Sequence, residues 1–441
     1  MDQRLAMREG LRRHLVALAC ACATCAPAWA DDLLDVWRQA RANDPQLAAA
    51  DAARLGTHDL ADQARAALLP QASAQAAIGR QRDTGAALPA ASGHTTDVTL
   101  GLSQVVFDAG LWSQLQAAHF NADAQDASFE AARQALCLRV ATAYFDALLA
   151  ADILASVQAN EDAFAQQVQQ SQQRYEAGLD AQVDVDQSRS YQALAHGNTI
   201  AARQALVDAL AALAEITGST PAALKTLRDE LPLAPPSPAD VQAWVATALQ
   251  GNPALWAARK GVDSAESAID AARAGHLPSL SAGLNLGRPT GTPYGDASGR
   301  LTNTVALTLS VPLFAGGATQ ARVSQARHAR DGALDSLETQ RRAVERATKA
   351  AYGSVVAGMA QVQSTRDAVA AARASLAATR VGREVGNRTQ TDVLNAIQTL
   401  AQAQAAHAQA RHQFILGRLQ LQQAAGALTE ADLANVNALL Q

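Results

Sequence analysis

The chain is written twice. Asn252-Pro253 stands 208 residues after Asp44-Pro45, and Ala272-Arg273-Ala274 and Leu277-Pro278 keep the same spacing from Ala64-Arg65-Ala66 and Leu69-Pro70. The later landmarks hold step: Ala143-Tyr144 with Ala351-Tyr352, Gly178 with Gly386, Asp184-Val185 with Asp392-Val393, and Gly218 with Gly426. The spacing slips by one residue only around the second strand of each copy, where Leu102-Ser103 and Phe107 meet Leu309-Ser310 and Phe314. A repeat of this kind requires both halves to build the same unit. Leu231-Pro232-Leu233-Ala234-Pro235-Pro236-Ser237-Pro238 separates them, a stretch that neither a helix nor a central strand accepts. The expected organisation is residues 1–30 as a signal segment, 31–220 as the first repeat, 221–240 as a Pro-rich linker and 241–441 as the second repeat.

Each copy shows the same order of elements. A helical segment (46–69 and 254–277) stops at Pro70 or Pro278, where the ring and the missing N–H end it. Two strands follow, at about 71–82 and 96–107, then about 279–288 and 303–314. In the second copy Leu280, Ala282, Leu284 and Leu286 alternate with Ser281, Gly283, Asn285 and Gly287, and Val305, Leu307 and Leu309 alternate with Ala306, Thr308 and Ser310. Period two with one apolar and one polar face marks a sheet between two solvents. Residues 83–95 and 288–302, rich in Gly, Pro, Ser and Asp, are expected to be the loops joining the strands.

A long helix is expected next, over 109–177 and 317–385. Leu136, Ala143, Ala150, Val157, Phe164 and Ser171, together with Val140, Ala147, Leu154, Glu161, Val168 and Tyr175, form a heptad seam that is interrupted only at Ser171 and Glu161. At 1.5 Å per residue such a helix extends about 100 Å. Gly178 and Gly386 break it, and a return helix (184–216, 392–424) runs back.

Composition agrees with rods rather than a large globular core: aromatic residues make up 4% of the chain. Arg4, Arg8, Arg12 and Arg13 precede an apolar run from Leu15 to Ala23 and a small-residue site at Ala28-Trp29-Ala30, the pattern of a secretory signal. Setting it aside removes three of the four cysteines, including the Cys22/Cys25 pair, and leaves Cys137 alone. It also removes four Arg, Asp2 and Glu9, so 36 basic and 41 acidic residues become 32 and 39, and a net charge of −5 becomes −7. That balance disfavours a nucleic-acid partner. His407 and His412, five residues apart, do not share a helical face, so no metal site is expected, and scattered His among Gln-rich helices are expected to be solvated. With no phosphate-cradling glycine loop and no Ser/His/Asp neighbourhood, neither an enzyme nor a bound cofactor is expected.

Strands of this length cross a bilayer at a steep tilt, but two pairs cannot close, and an open edge in lipid leaves N–H and C=O groups unpaired at several kcal/mol each. A barrel with a polar lumen needs at least about eight strands, so several copies must assemble. A soluble sandwich beside a helical bundle is the competing fold, and no continuous apolar core is visible for it. A periplasmic adaptor would carry one helical hairpin flanked by small β-domains, and a structural coiled-coil protein would have no alternating strands.

The tandem copies, Asn43-Asp44-Pro45 near the mature start, Leu68-Leu69-Pro70 and His276-Leu277-Pro278 before strands, Phe107-Asp108-Ala109-Gly110 and Phe314-Ala315-Gly316-Gly317 after them, and Gly178…Asp184-Val185 and Gly386…Asp392-Val393-Leu394 at the hairpin tips resemble the TolC family of outer-membrane factors from about Leu33 to Leu433. The resemblance implies a mainly α fold with a transmembrane β-barrel: a homotrimer whose twelve-stranded barrel sits in outer-membrane lipid and continues as a helical barrel in the periplasm. It implies export, as in type I secretion or small-molecule efflux, with a periplasmic adaptor protein and an inner-membrane transporter of ABC or RND type as partners. It places adaptor docking at the tips Gly178, Leu179, Gly386 and Asn387, and a latch at the periplasmic entrance between Arg388 and Asp184. Arg383 stands where the family often supplies a Tyr to the same latch, and an Arg there is expected to pair with Asp184 more strongly than a phenol would; Asn395 stands where a second acidic ring is usual, leaving Asp392 as the carboxylate ring there. A charge pair near water contributes only about 0–1 kcal/mol. The alternative for Asp184 and Asp392 is that they complement the N-termini of their return helices.

Overall fold

The computed structural model describes residues 30–85, 88–221, 223–290 and 301–441. The signal segment up to residue 29 and the centre of the loop expected over 288–302 lie outside them. The described elements are α1 (Leu33–Asn43), α2 (Pro45–Ala66), β1 (Gln71–Gly85), β2 (Leu88–Phe107), α3 (Ala109–Glu176), α4 (Gln182–Thr217), α5 (Val241–Gly251), α6 (Pro253–Arg273), a 3-10 turn (Ala274–His276), β3 (Ser279–Thr290), β4 (Thr302–Ser310), α7 (Ala318–Glu384), α8 (Gln390–Ala424) and α9 (Glu430–Asn437).

The repeated dipeptides are helix starts. Asp44 ends α1 and caps α2, its carboxylate accepting from the Leu47 N–H at 3.1 Å, with Pro45 at the first helical position where no donor is needed. Asn252 does the same for α6, accepting from Ala254 and Leu255 ahead of Pro253. Both short arms end before the prolines the sequence singled out: α2 stops at Ala66, and α6 gives way at Arg273 to the 3-10 turn. Asp108 caps α3 through the Leu111 N–H, whereas α7 enters through Gly316 and Gly317, both at left-handed φ. One capping side chain is thus replaced by two glycines, at the point where the repeat spacing slips.

The sheet is antiparallel with order β1-β2-β3-β4. Its register aligns the apolar residues on one face: Ala74 opposite Leu100, Leu100 opposite Leu286, Leu102 opposite Leu284, and Leu284 opposite Val305. The first hairpin is longer than its apolar stretch, since β1 reaches Gly85 and β2 begins at Leu88, so most of 83–95 is strand rather than loop. Backbone pairing between Arg80 and His94 or Arg82 and Ser92 does not need an apolar face once the strands extend into water. Conversely β4 ends at Ser310 instead of 314, because Pro312 has no N–H to continue the ladder, and Leu313 and Phe314 project into solvent. β1 and β4 are the two edges.

Midway along the helices lies a core that the low aromatic content did not announce. Leu33, Trp37, Leu136, Tyr144, Phe145, Leu213, Ile415, Leu419 and Leu433 pack together where α1, α9 and the inter-repeat segment wrap α3. Isolated bridges Asp31–Leu224 and Leu227–Leu440 tie the segment to both ends of the described chain. The Tyr144 hydroxyl donates to the Lys225 carbonyl at 2.9 Å and the Asp31 carbonyl at 3.2 Å, satisfying a fully buried polar atom.

Candidate functional site

The two hairpin tips lie far from the sheet, at the ends of α3 and α7. Gly178 (φ 69°) and Gly386 (φ 81°) turn the chain in the left-handed region that an L side chain rarely adopts. The turns close with Leu179 N–H donating to the Arg174 carbonyl and Asn387 N–H to the Gly382 carbonyl, both at 2.8 Å. Leu179 and Val385 are exposed beside them, as are Val183 and Val381.

Asp184 and Asp392 stand at equivalent places, each in the first turn of a return helix. Asp184 accepts from the Ala181 N–H at 3.3 Å. Asp392 accepts from the Thr389 N–H at 2.8 Å and its hydroxyl at 2.9 Å, while the Asp392 N–H donates back to that hydroxyl, a complete capping box. These bonds, the backbone one foremost, hold the Asp392 carboxyl below its ordinary value.

Arg383 reaches across from α7 to the first hairpin, but its partner is Asp180 rather than Asp184. Its Nη2 donates to Asp180 Oδ2 at 2.7 Å, and Arg174 Nε approaches the same carboxylate at 3.1 and 3.2 Å. The Asp180 side chain is only 1% exposed, with Arg383 at 20% and Arg174 at 38%. One carboxylate therefore takes charge-assisted bonds from both repeats. Arg388 forms no ion pair within the chain among the described residues. Its stem lies over Gly382, where an added Cβ would fall 2.7 Å from Arg388 Cγ. Gly382 thus makes room for that stem.

Asn395, on α8, accepts from the Tyr191 hydroxyl of α4 at 3.0 Å, and Thr391 donates to Gln187 at 2.8 Å, so both bonds tie one return helix to the other. Behind the tips lies a polar network that no motif announced. Gln390 donates to Ser171 and Ser188, each at 2.9 Å, and accepts from Gln167 at 3.2 Å, all four being buried. Its one trace in the sequence is Ser171, a break in the heptad seam. The other break, Glu161, meets His196 at 2.7 Å.

Most of the described histidines are exposed, as expected, His58, His119, His196 and His328 among them, but two on α8 are not. His412 is 1% exposed and faces Asp152 across α3 and α8 at 2.9 Å, its ring 5.8 Å from that of Phe145 and tilted 54° to it. His407 is half-buried against Thr365, and burial followed by the nearby Arg411 and Arg366 pushes its pKa down. Helices this closely packed bury whatever stands at their seams.

The family model described as "Outer membrane efflux protein" matches residues 36–219 and 244–427, one match in each repeat. Outer membrane protein TolC of Vibrio cholerae is 34% identical over 417 residues, covering 94% of each chain. Alkaline protease secretion protein AprF of Pseudomonas aeruginosa is 31% identical over 421 residues, 93% of this chain and 88% of that one. Among solved structures, the CmeC outer membrane channel of Campylobacter jejuni superposes with a TM-score of 0.79 at 17% identity, covering 92% of this chain and 89% of the other. VceC of Vibrio cholerae superposes with a TM-score of 0.78 at 22% identity, covering 89% and 96%.

Proposed function

Since the chain belongs to the outer membrane efflux protein family and is therefore an outer-membrane channel of type I secretion or efflux, we propose that it works as a trimer, gated by the Asp180 cluster at the hairpin tips and fed through an adaptor from an inner-membrane transporter. The observation that carries this reading is the sheet: four strands with an apolar face and two unpaired edges. In lipid those edges have no water to satisfy them, so β4 of one copy pairs with β1 of the next. Three copies make twelve strands around a polar lumen.

Transport through a passive conduit needs no chemical step, so control falls to the end that closes. The Arg174–Asp180–Arg383 cluster holds the two hairpins of one subunit together, and three such clusters bias the entrance toward its shut state. Arg388, which forms no ion pair with the described residues of its own subunit, is placed to meet a carboxylate of the neighbour, Asp184 being the partner in this reading. Leu179, Val183, Val381 and Val385 offer the exposed apolar rim on which an adaptor docks. Cargo is chosen by the transporter, of ABC or RND type.

Conductance across planar bilayers tests this. The wild type is expected to give small, cation-leaning openings. Arg388→Ala and Asp180→Asn are each expected to give larger ones. Purified protein that does not conduct at all would overturn the conduit, and unchanged conductance in both variants would overturn the gate.

A further inference from the structure

The apolar face of the sheet changes chemistry at one level. Side chains two positions apart on a strand share a face. On β3 that face runs from Leu280 through Leu284 and Leu286 and then reaches Arg288, and on β1 it runs from Ala72 through Ile78 and then reaches Arg80 and Arg82. Arg80 pairs with His94 across β1 and β2, and Arg288 with Val98 across β2 and β3, so the imidazole stands on the same face. Asp97, next to Val98, falls on the other face, the one that carries Ser73, Thr99 and Asn285. Simple solvation of the strand ends would put either sign on either face. Here the cationic side chains stand on the apolar face and the carboxylate on the polar one.

Arg288 stands 208 residues after Arg80, the spacing that relates the two repeats, so each copy places an exposed arginine at the same point of its first strand. That point is the top of the apolar band. Arg288 lies eleven residues beyond Leu277, which is exposed just ahead of β3. At about 3.3 Å per residue and a tilt of about 40°, the rise is about 28 Å, against an apolar band about 25 Å tall in barrels of this kind. Around the circumference the two arginines are two strands apart, about 12–13 Å at that tilt. Arg82 continues the row outward, and neither it nor Arg80 makes an ion pair among the described residues.

We propose that this rim binds a lipid of the outer leaflet whose headgroup is a disaccharide bearing a phosphate at each end, Arg80 and Arg288 each taking a phosphate. This rests on the trimer reading above, because closing the barrel turns two arginines into a ring of six. The planar guanidinium presents two parallel N–H donors to phosphate oxygens, which a point charge does not. Continuity with the apolar face supplies the rest of the site: acyl chains lie along Ile78 and Leu286 while the headgroup reaches the arginines directly above them. A phospholipid has one phosphate and engages one arginine at a time, whereas a disaccharide bridges the two. His94, opposite Arg80, adds a ring N–H donor toward the same headgroup.

Native mass spectrometry of the full-length protein, titrated in detergent with bisphosphorylated lipid A, its dephosphorylated form or phosphatidylglycerol, reads subunit number and bound lipid together. The wild type is expected to hold the bisphosphorylated lipid most tightly. Each arginine close to an anionic headgroup is worth about fivefold in affinity, so Arg80→Gln with Arg288→Gln should weaken that binding by about twenty- to thirtyfold. Arg80→Lys with Arg288→Lys keeps the charge and should lose less than about fivefold. Adding Thr95→Arg to the Gln pair restores a cation on the polar face, since Thr95 lies opposite Gly79, and should recover nothing. Wild-type protein that binds the dephosphorylated lipid or phosphatidylglycerol as tightly overturns the proposal without any variant. So does a three-subunit mass on which the Gln pair binds as the wild type does, or on which Thr95→Arg restores binding. A mass of one subunit overturns the trimer reading itself, and the rim with it.

Discussion

Asp180 carries more of the tip than its place in the sequence suggests. Removing its charge as Asp180→Asn leaves two guanidiniums facing each other in a space that admits little water. Breaking a fully buried pair costs about 3–5 kcal/mol. Because Arg174 and Arg383 keep part of their surface in solvent, a local loss of about 1–3 kcal/mol is expected here, read as faster hydrogen exchange at Leu179–Ala181 with exchange at the mid-helix core around Tyr144 unchanged. Cys137 belongs to that core, where burial pushes its thiol up to about 12, and burial likewise raises the Tyr144 hydroxyl. A raised folded-state pKa contributes stability that is intact below the unfolded value and is lost as pH climbs toward the folded one. Melting temperature should therefore fall from about pH 9 upward, and Cys137→Ala should flatten part of that fall. The thiol should also resist alkylation at neutral pH until the chain unfolds. None of this was legible residue by residue. The resemblance pointed to Asp184 and Arg388, whereas Asp180, an ordinary turn residue by type, acquires its partners only when two hairpins 200 positions apart are brought together.

At the level of elements, sequence and structure agree where the signal is local. Pro70 and Pro278, the Asp44 and Asn252 caps, the tip glycines and the heptad seam all marked their elements, because each acts through bonds within one or two turns. Gly178→Ala and Gly386→Ala force a Cβ into left-handed backbone and should each cost about 1–2 kcal/mol, while Thr389→Ala removes a cap of about 1 kcal/mol. All three are expected to loosen the tips, measured as earlier proteolysis there, without changing melting of the mid-helix core. The elements missed were short, α1, α5 and α9, of 11, 11 and 8 residues: α1 does carry a helical stripe in Leu33, Val36, Trp37 and Ala40, and all three owe their stability to docking on the rest of the bundle. Strand ends were missed for a different reason. Backbone pairing outlasts the alternation that reveals it, as in β1 and β2, and stops early where Pro312 withdraws its donor.

For the whole molecule, the apolar face of the sheet sets where it resides. Leu307→Arg, midway along β4, places a charge on that face at a cost of about 2–4 kcal/mol near the bilayer centre. The expected outcome is loss of the heat-resistant assembled form and less protein in the outer-membrane fraction. Thr99→Arg, by contrast, lies on the opposite face, where a charge meets the lumen, and should assemble while altering ion selectivity. The doubled order of landmarks was enough to establish two equivalent units, long helices, a sheet with one apolar face and the need for further copies, because periodicity and backbone satisfaction are properties of the chain's own pattern. Tertiary structure alone decided which carboxylate the tip arginines share and which polar groups are buried behind them. Those depend on distances between segments far apart in the chain, and no local pattern encodes a distance across space.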